Sequence, residues 1–232
     1  MSPSPQVVAV LLAGGKGERL GGETPKQFLQ LVDRPMFCHS LDAFEICPAI
    51  TSVVFVVPDP SFDWPRELYP KLFAEVEGGA SRQGSVANAL AALPPESELV
   101  MVHDAARPLI DAGLLERLIS GLEPACDGVI PGIPLEDAIK KVSADGWLES
   151  EVDRTAVWRV QTPQLLRRQP LEAALDKSLA AGEDSPDCSQ MLTRAGYRVK
   201  VVQGDHLNVK VTRPSDLRLA ETYLRARWAG QL

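Results

Sequence analysis

"LLAGGKGERLGGETPKQF", Leu11 to Phe28, places a glycine-rich, charged run directly behind the apolar stretch Val7 to Leu12. Three readings compete for it: a plain glycine turn, a dinucleotide fingerprint, or a cradle for a nucleoside triphosphate. A dinucleotide fingerprint needs G-x-G-x-x-G between a strand and a helix, but Leu20 stands where the third glycine belongs. Pro25 would also break the required helix. A Walker A loop needs Lys and Ser or Thr after its last glycine, whereas Gly22 is followed by Glu23 and Thr24. A plain turn has no need of Lys16, Arg19 and Lys26 in one loop, although a solvated charged loop is its structural counterpart. What remains is a loop in which Gly14, Gly15 and Gly17 let backbone N–H groups approach an anion, with Arg19 and Lys26 adding positive charge. A triphosphate fits that description.

Working outward, "SVVFVV" (52–57), "ELVMVHD" (98–104) and "DGVIPG" (127–132) join "VVAVLL" (7–12) as nearly continuous apolar runs, the pattern of parallel strands buried on both faces. Apolar residues at helical spacing fall between them at 85–93 and 114–122. The order is βαβα, which predicts an α/β domain with a mostly parallel sheet. From Pro134 to Val160 the rhythm changes to "AIKKV" and "WLESEV" about the turn-prone "SADG" at 143–146, read as an extended β-hairpin arm. An isolated hairpin is marginal in water, so a second copy of the chain is its expected support. Helices are predicted at 167–181 and 186–195, strands at 197–203 and 208–212, and a last helix opened by Pro214.

The chain has 232 residues, 45% of them hydrophobic, enough for one sizeable domain, and no internal repeat or linker is visible. A formal charge of −7 disfavours duplex nucleic acid and anionic membranes as partners, so a bound anion must be held by a local basic pocket. Four scattered cysteines, Cys38, Cys47, Cys126 and Cys188, indicate neither a zinc site nor a disulfide framework, and a cytoplasmic location is expected. The start does not read as a secretory signal, and no apolar run approaches the roughly 20 residues of a membrane span.

With the fold class in place, "LAGGKGERL…TPKQF" resembles the nucleotide-binding signature of the sugar-phosphate nucleotidyltransferases, and within them the methylerythritol phosphate cytidylyltransferases. "GGASRQGSV" (78–86), "VHDAARPL" (102–109), "DRTAVWRVQTPQ" (153–164), "DCS" (187–189) and "NVKVTRPSDL" (208–217) follow in the order and spacing of that family, so the resemblance covers nearly the whole chain. It implies a Rossmann-like nucleotidyltransferase domain with an arm, at about 134–160, that interlocks a homodimer. The implied reaction joins CTP and a polyol phosphate, methylerythritol phosphate, to give the CDP-alcohol and pyrophosphate. Mg²⁺ is required, held mainly by the CTP phosphates, with no protein metal site assigned.

Matched position by position, the resemblance implies Arg19, Lys26 and Lys210 as catalytic cations. Ala13, Gly14, Gly15, Gly17, Gly79, Ala80, Ser85 and Asp104 fall at nucleotide-binding positions; Asp104, Arg107, Arg154 and Thr162 fall at acceptor-binding ones. Arg154 would act from the neighbouring subunit on the acceptor phosphate. Structural alternatives are a helix cap for Ser85, an ion pair between Asp104 and Arg107, and an arm-to-body salt bridge for Arg154; His103 reads as a satisfied core residue. The attacking phosphate oxygen is already ionised near neutral pH, so catalysis has to come from alignment and charge neutralisation. Two departures stand out: Leu12-Ala13-Gly14-Gly15 where the family reads P-A-A-G, and Ala138 where it has a threonine that binds the acceptor phosphate. Ribitol phosphate as acceptor, or a non-catalytic CTP-binding module, are the alternatives.

Overall fold

The computed structural model describes residues 6–15 and 26–231, and of Lys26 the backbone only. Gly17 and Arg19 lie outside the described residues. The central sheet has eight strands, and its spine is β1 (Val7–Leu12), β4 (Ile50–Val57), β5 (Leu72–Glu77), β6 (Leu99–Asp104) and β7 (Gly128–Pro134). Along the sheet the order is β5-β4-β1-β6-β11-β7, where β11 (Gln164–Arg167) runs antiparallel between β6 and β7. A parallel β12 (Val199–Gln203) and an antiparallel β10 (Trp158–Val160) also pair with β7. Two further strand pairs stand apart: β2 (Gln30–Leu31) with β3 (Arg34–Pro35), and β8 (Ile139–Val142) with β9 (Leu148–Val152).

The alternation of the strands decides which helix covers which face. Val7, Ala9, Leu11, Phe55 and Met101 point to the layer of α1 (Met36–Ile46) and α3 (Ala112–Gly121). Their neighbours Val8, Val10, Val54, Val56, Val100 and Val102 point to α2 (Arg82–Ala91), α4 (Arg168–Ala180) and α5 (Cys188–Arg194). Period two in the strand thus places successive valines in different layers, and both layers are apolar because both faces are covered. The last helix, α6 (Pro214–Trp228), packs Ala220 and Leu224 on Leu31, Met36, Leu109 and Val211. Pro214 is its first residue, where a missing N–H costs nothing.

The predicted α/β class and mostly parallel sheet are observed, and three of the predicted elements differ in form or bounds. Residues 208–212 form no strand; Asn208 is buried and bonded through both its main chain and side chain, which leaves the segment as a loop. The separate hairpin is confined to Ile139–Val152, because Trp158–Val160 rejoin the main sheet opposite Gly132–Pro134. Helix α2 begins at Arg82 rather than Ser85, with Ser81 as its cap accepting from Gly84 N–H at 3.1 Å. No described helix is long and apolar enough to cross a membrane. All four cysteines are buried and free.

Candidate active site

Chain order and strand order together locate the site. From β1 the chain moves outward to β4 and β5, then returns to lay β6 against the other side of β1, with Leu12 beside Asp104. Open α/β sheets bind ligands outside the carboxyl ends of strands at such a reversal. At this position the segments after β1 (13–15), β5 (78–81) and β6 (104–107) meet.

Gly14 and Gly78 lie in backbone contact: a Cβ on Gly14 would come within 2.8 Å of the Gly78 Cα. A side chain at either position would wedge the two loops apart, so Gly14, the first glycine of the first loop, has a packing reason. Gln27, 3% exposed, braces the same loop; its side-chain amide donates to the carbonyls of Ala13 and, at 2.8 Å, Gly15. Ala13 N–H is committed to Val56 O at 2.8 Å. Gly79 N–H donates to Ser85 Oγ at 3.0 Å, and that hydroxyl donates onward to Ser81 O at 3.0 Å. Ser85 Oγ therefore retains one lone pair, an acceptor. Among the described residues, the amides of Gly14 and Ala80 carry no hydrogen bond.

Asp104 is the electrostatic centre. Its Oδ2 meets Lys210 Nζ at 2.7 Å and its Oδ1 meets Arg82 Nε at 3.3 Å, with the carboxylate side chain 14% exposed. Burial alone would raise this carboxyl; the charges of Arg82 and Lys210 overrule it and hold the group well below the usual carboxylate range. Arg82 Nη1 lies 3.4 Å from Cys188 Sγ, and burial keeps that sulfur a thiol by pushing its pKa up. The expected alternative pair of Asp104 with Arg107 is absent: Arg107 Nη1 donates to Asn208 O at 2.8 Å. Burial lowers the Arg107 pKa, Asp104 opposes that, and the charge of Arg159 adds to it. Among the described residues, Arg82 Nη2 and Arg107 Nε are both buried without a partner. Among the described residues, Arg82, Lys210 and Arg107 are set against the one carboxylate of Asp104, which leaves cationic charge in excess around it.

Thr162 is 4% exposed, and its hydroxyl receives Asp104 N–H at 3.1 Å and contacts His103 Nδ1 at 3.0 Å. Its hydroxyl braces the end of β6 from within. Arg154 is exposed and its side chain forms no ion pair among the described residues, so the alternative of an arm-to-body bridge is not made there. Lys140 is taken by Glu151 at 3.1 Å across the hairpin. Ala138 offers no hydroxyl, as its sequence dictates.

Arg82 and Gln27 lie within "GGASRQGSV" and "TPKQF", where sequence alone assigns them no role. For Arg82 a signal existed: a cation in the first turn of a helix opposes the helix dipole, so it is tolerated there when an anion, here Asp104, faces it.

An open α/β sheet with glycine-dependent loops and surplus cations at its switch point defines a nucleotide-handling transferase. The profile of the 2-C-methyl-D-erythritol 4-phosphate cytidylyltransferase family matches residues 7–226. A relative of that name from Aeromonas hydrophila is 40% identical over 229 residues, covering 98% of this chain and 93% of the relative. Another from Desulforamulus reducens is 35% identical, covering 95% and 97%. Of solved structures, the enzyme of that name from Thermus thermophilus superposes with a TM-score of 0.81 at 30% identity, covering 95% of this chain and 99% of that one. The chain belongs to the 2-C-methyl-D-erythritol 4-phosphate cytidylyltransferase family.

Proposed function

We propose that this chain transfers CMP from CTP to 2-C-methyl-D-erythritol 4-phosphate, releasing pyrophosphate and forming the CDP-alcohol used in isoprenoid synthesis. The observation that carries this reading is the cation surplus around Asp104 among the described residues, where Arg82 Nη2 and Arg107 Nε are buried and unpaired, at the reversal point of the sheet. Family membership over nearly the full chain supplies the nucleotide and the acceptor.

In this reading the cytosine lies against the crossing of the first loop with residues 78–81. The free amides of Gly14 and Ala80 meet its acceptors, and the remaining lone pair of Ser85 meets its amino group. Gly79 and Ala13 shape the cradle, and Gly15 and Gly17 open it to the phosphates. Arg19 and Lys26 face the triphosphate from the first loop, and Lys210 faces the α-phosphate from the other side. The acceptor's phosphate oxygen attacks without a general base, since it is already anionic. What the chain supplies is alignment and neutralisation of the charge that grows on the α-phosphate and the departing pyrophosphate.

Among the described residues no three His, Cys, Asp or Glu side chains gather as metal ligands, and both oxygens of Asp104 are in ion pairs. In this reading a Mg²⁺ would be held mainly by triphosphate oxygens and water. When bound, the ion neutralises phosphate charge. Asp104 and Arg107 bound the acceptor side in the same reading, and Arg154 reaches the acceptor phosphate from the partner subunit. The hairpin supports such a homodimer by exposing Val142, Trp147 and Leu148, with Trp147 75% exposed. The reaction is placed in the cytoplasm.

The test supplies CTP and Mg²⁺ with methylerythritol phosphate or ribitol phosphate and follows pyrophosphate release. Release with the former supports the reading. Release with ribitol phosphate alone, or CTP binding with no release, overturns it.

A further inference from the structure

Four residues from three separate segments close a ring of hydrogen bonds. His103 Nε2 lies 3.0 Å from Arg107 O, and a carbonyl only accepts, so Nε2 carries the proton. The imidazole is fully buried; burial pushes its pKa down to about 3, opposed by the charge of Asp104 and the hydrogen bond to Arg107 O and aided by the charges of Arg107 and Lys210, with the Phe44 ring edge-on at 5.8 Å. A neutral ring protonated at Nε2 has a bare Nδ1, so the Thr162 hydroxyl at 3.0 Å donates to it. Arg107 Nη1 then donates to Asn208 O at 2.8 Å, and Asn208 Nδ2 donates to Thr162 O at 2.8 Å.

Every member donates to the next: Thr162 to His103, His103 to Arg107, Arg107 to Asn208, Asn208 to Thr162. The circuit runs one way only, because a guanidinium never accepts and a carbonyl never donates. With its proton spent on His103, the Thr162 hydroxyl offers lone pairs, and Asp104 N–H fills one at 3.1 Å. This bond continues the pairing of β6 past Val102 and Gln164, where Pro163 has no N–H to give. Lys210 follows Asn208 by two residues and meets the Asp104 carboxylate.

We propose that His103 is a positioning residue for the transfer: as the Nε2–H tautomer it closes this ring and fixes Asp104, Arg107 and Lys210 relative to one another. The inference rests on the proposed reading of the site, since it takes those three residues to face the reactants. A ring of fixed donor direction has one geometry, and displacement of a charge by about 1 Å is enough to cost about a hundredfold in turnover.

The test has two parts. Nitrogen NMR of the wild-type protein should show His103 protonated at Nε2 and bare at Nδ1 from about pH 5 to about pH 8, the range in which an ordinary histidine changes charge. Turnover of H103F, T162V and the double variant should fall at least about tenfold in kcat with KM for CTP held within about threefold, and the double should lose no more than the worse single, as members of one unit do. An Nδ1-protonated or charged ring overturns the circuit. The expected tautomer with unchanged kcat in T162V, which keeps the side-chain volume, overturns the positioning role while leaving the circuit. Should H103F fail to fold, the NMR signature and T162V still decide. A wild-type protein that binds CTP and releases no pyrophosphate with methylerythritol phosphate overturns the reading beneath the proposal, a failure separable from both others.

Discussion

Asp104 owes its charge to its neighbours rather than to water, and the consequence is measurable. Replacing Arg82 by methionine keeps the stem's packing but leaves a largely buried carboxylate with Lys210 alone, and Lys210 is 41% exposed. Losing one partner of such a pair is expected to cost about 3 kcal/mol at neutral pH, read by denaturant unfolding. The sign with pH follows from the depressed pKa: the native stabilisation is full above the unfolded carboxylate value of about 3.9 and is lost as pH falls through the lower folded value. The R82M deficit should therefore shrink on acidification; a deficit independent of pH would show that Arg82 does not act through Asp104. Motif matching found Asp104 and Lys210 but not the bond between them, because a sequence gives no distance between positions 106 residues apart. Thr162 illustrates the same limit. Its position in "QTPQ" is legible, whereas the direction of its hydroxyl depends on a histidine from another strand.

At the scale of elements, legibility followed exposure of a pattern. Strands β1, β4, β6 and β7 announced themselves as apolar runs, and α3 carries its leucines at helical spacing with polar residues between. Helix α1 did not, because Met36–Phe44 is buried almost all round and shows no polar face to give period 3.6. The sequence does not predict the antiparallel β11: its four residues are too few to show a pattern and run straight into α4, and its last, Arg167, falls within the helix predicted at 167–181. The loop at 208–212 alternates like a strand, yet Asn208 spends its hydrogen bonds on Thr162 and Arg107 instead of on a neighbouring strand. The crossing of 78–81 over α2 is the element most sensitive to a single atom. A Cβ on Gly79 would lie 2.4 Å from the Gly84 carbonyl carbon and 2.7 Å from Ser85 N. Gly79→Ala should accordingly cost about 1–3 kcal/mol and weaken CTP binding, measured by melting and titration together. Normal CTP affinity in a folded G79A protein would remove this crossing from the base site.

For the whole molecule, one sheet with helices on both faces holds three loops at one end, while Arg154 lies exposed in the segment between the hairpin strand β9 and β10. Among the described residues the exposed Arg154 has no ionic partner, and the neighbouring hairpin exposes Val142, Trp147 and Leu148. In the homodimer reading, mixing R154A chains with K26A chains restores turnover that neither has alone, since one site of each hybrid receives an intact arm and an intact loop. No recovery in mixed dimers would make each site self-contained. The arm was legible as a hairpin from its alternation and turn; its partner was not, because a surface that recognises a second copy looks in sequence like any exposed apolar strand.

The central claim is that cations from separate segments meet on the α-phosphate at the carboxyl end of β1 and β6. A crystal structure of the protein with CTP and Mg²⁺ tests it most directly. The account predicts the cytosine against Gly14 and Ala80, with the ammonium groups of Lys26 and Lys210 on either side of the α-phosphate. A nucleotide bound elsewhere, or Lys210 still on Asp104 with the α-phosphate out of its reach, would contradict it.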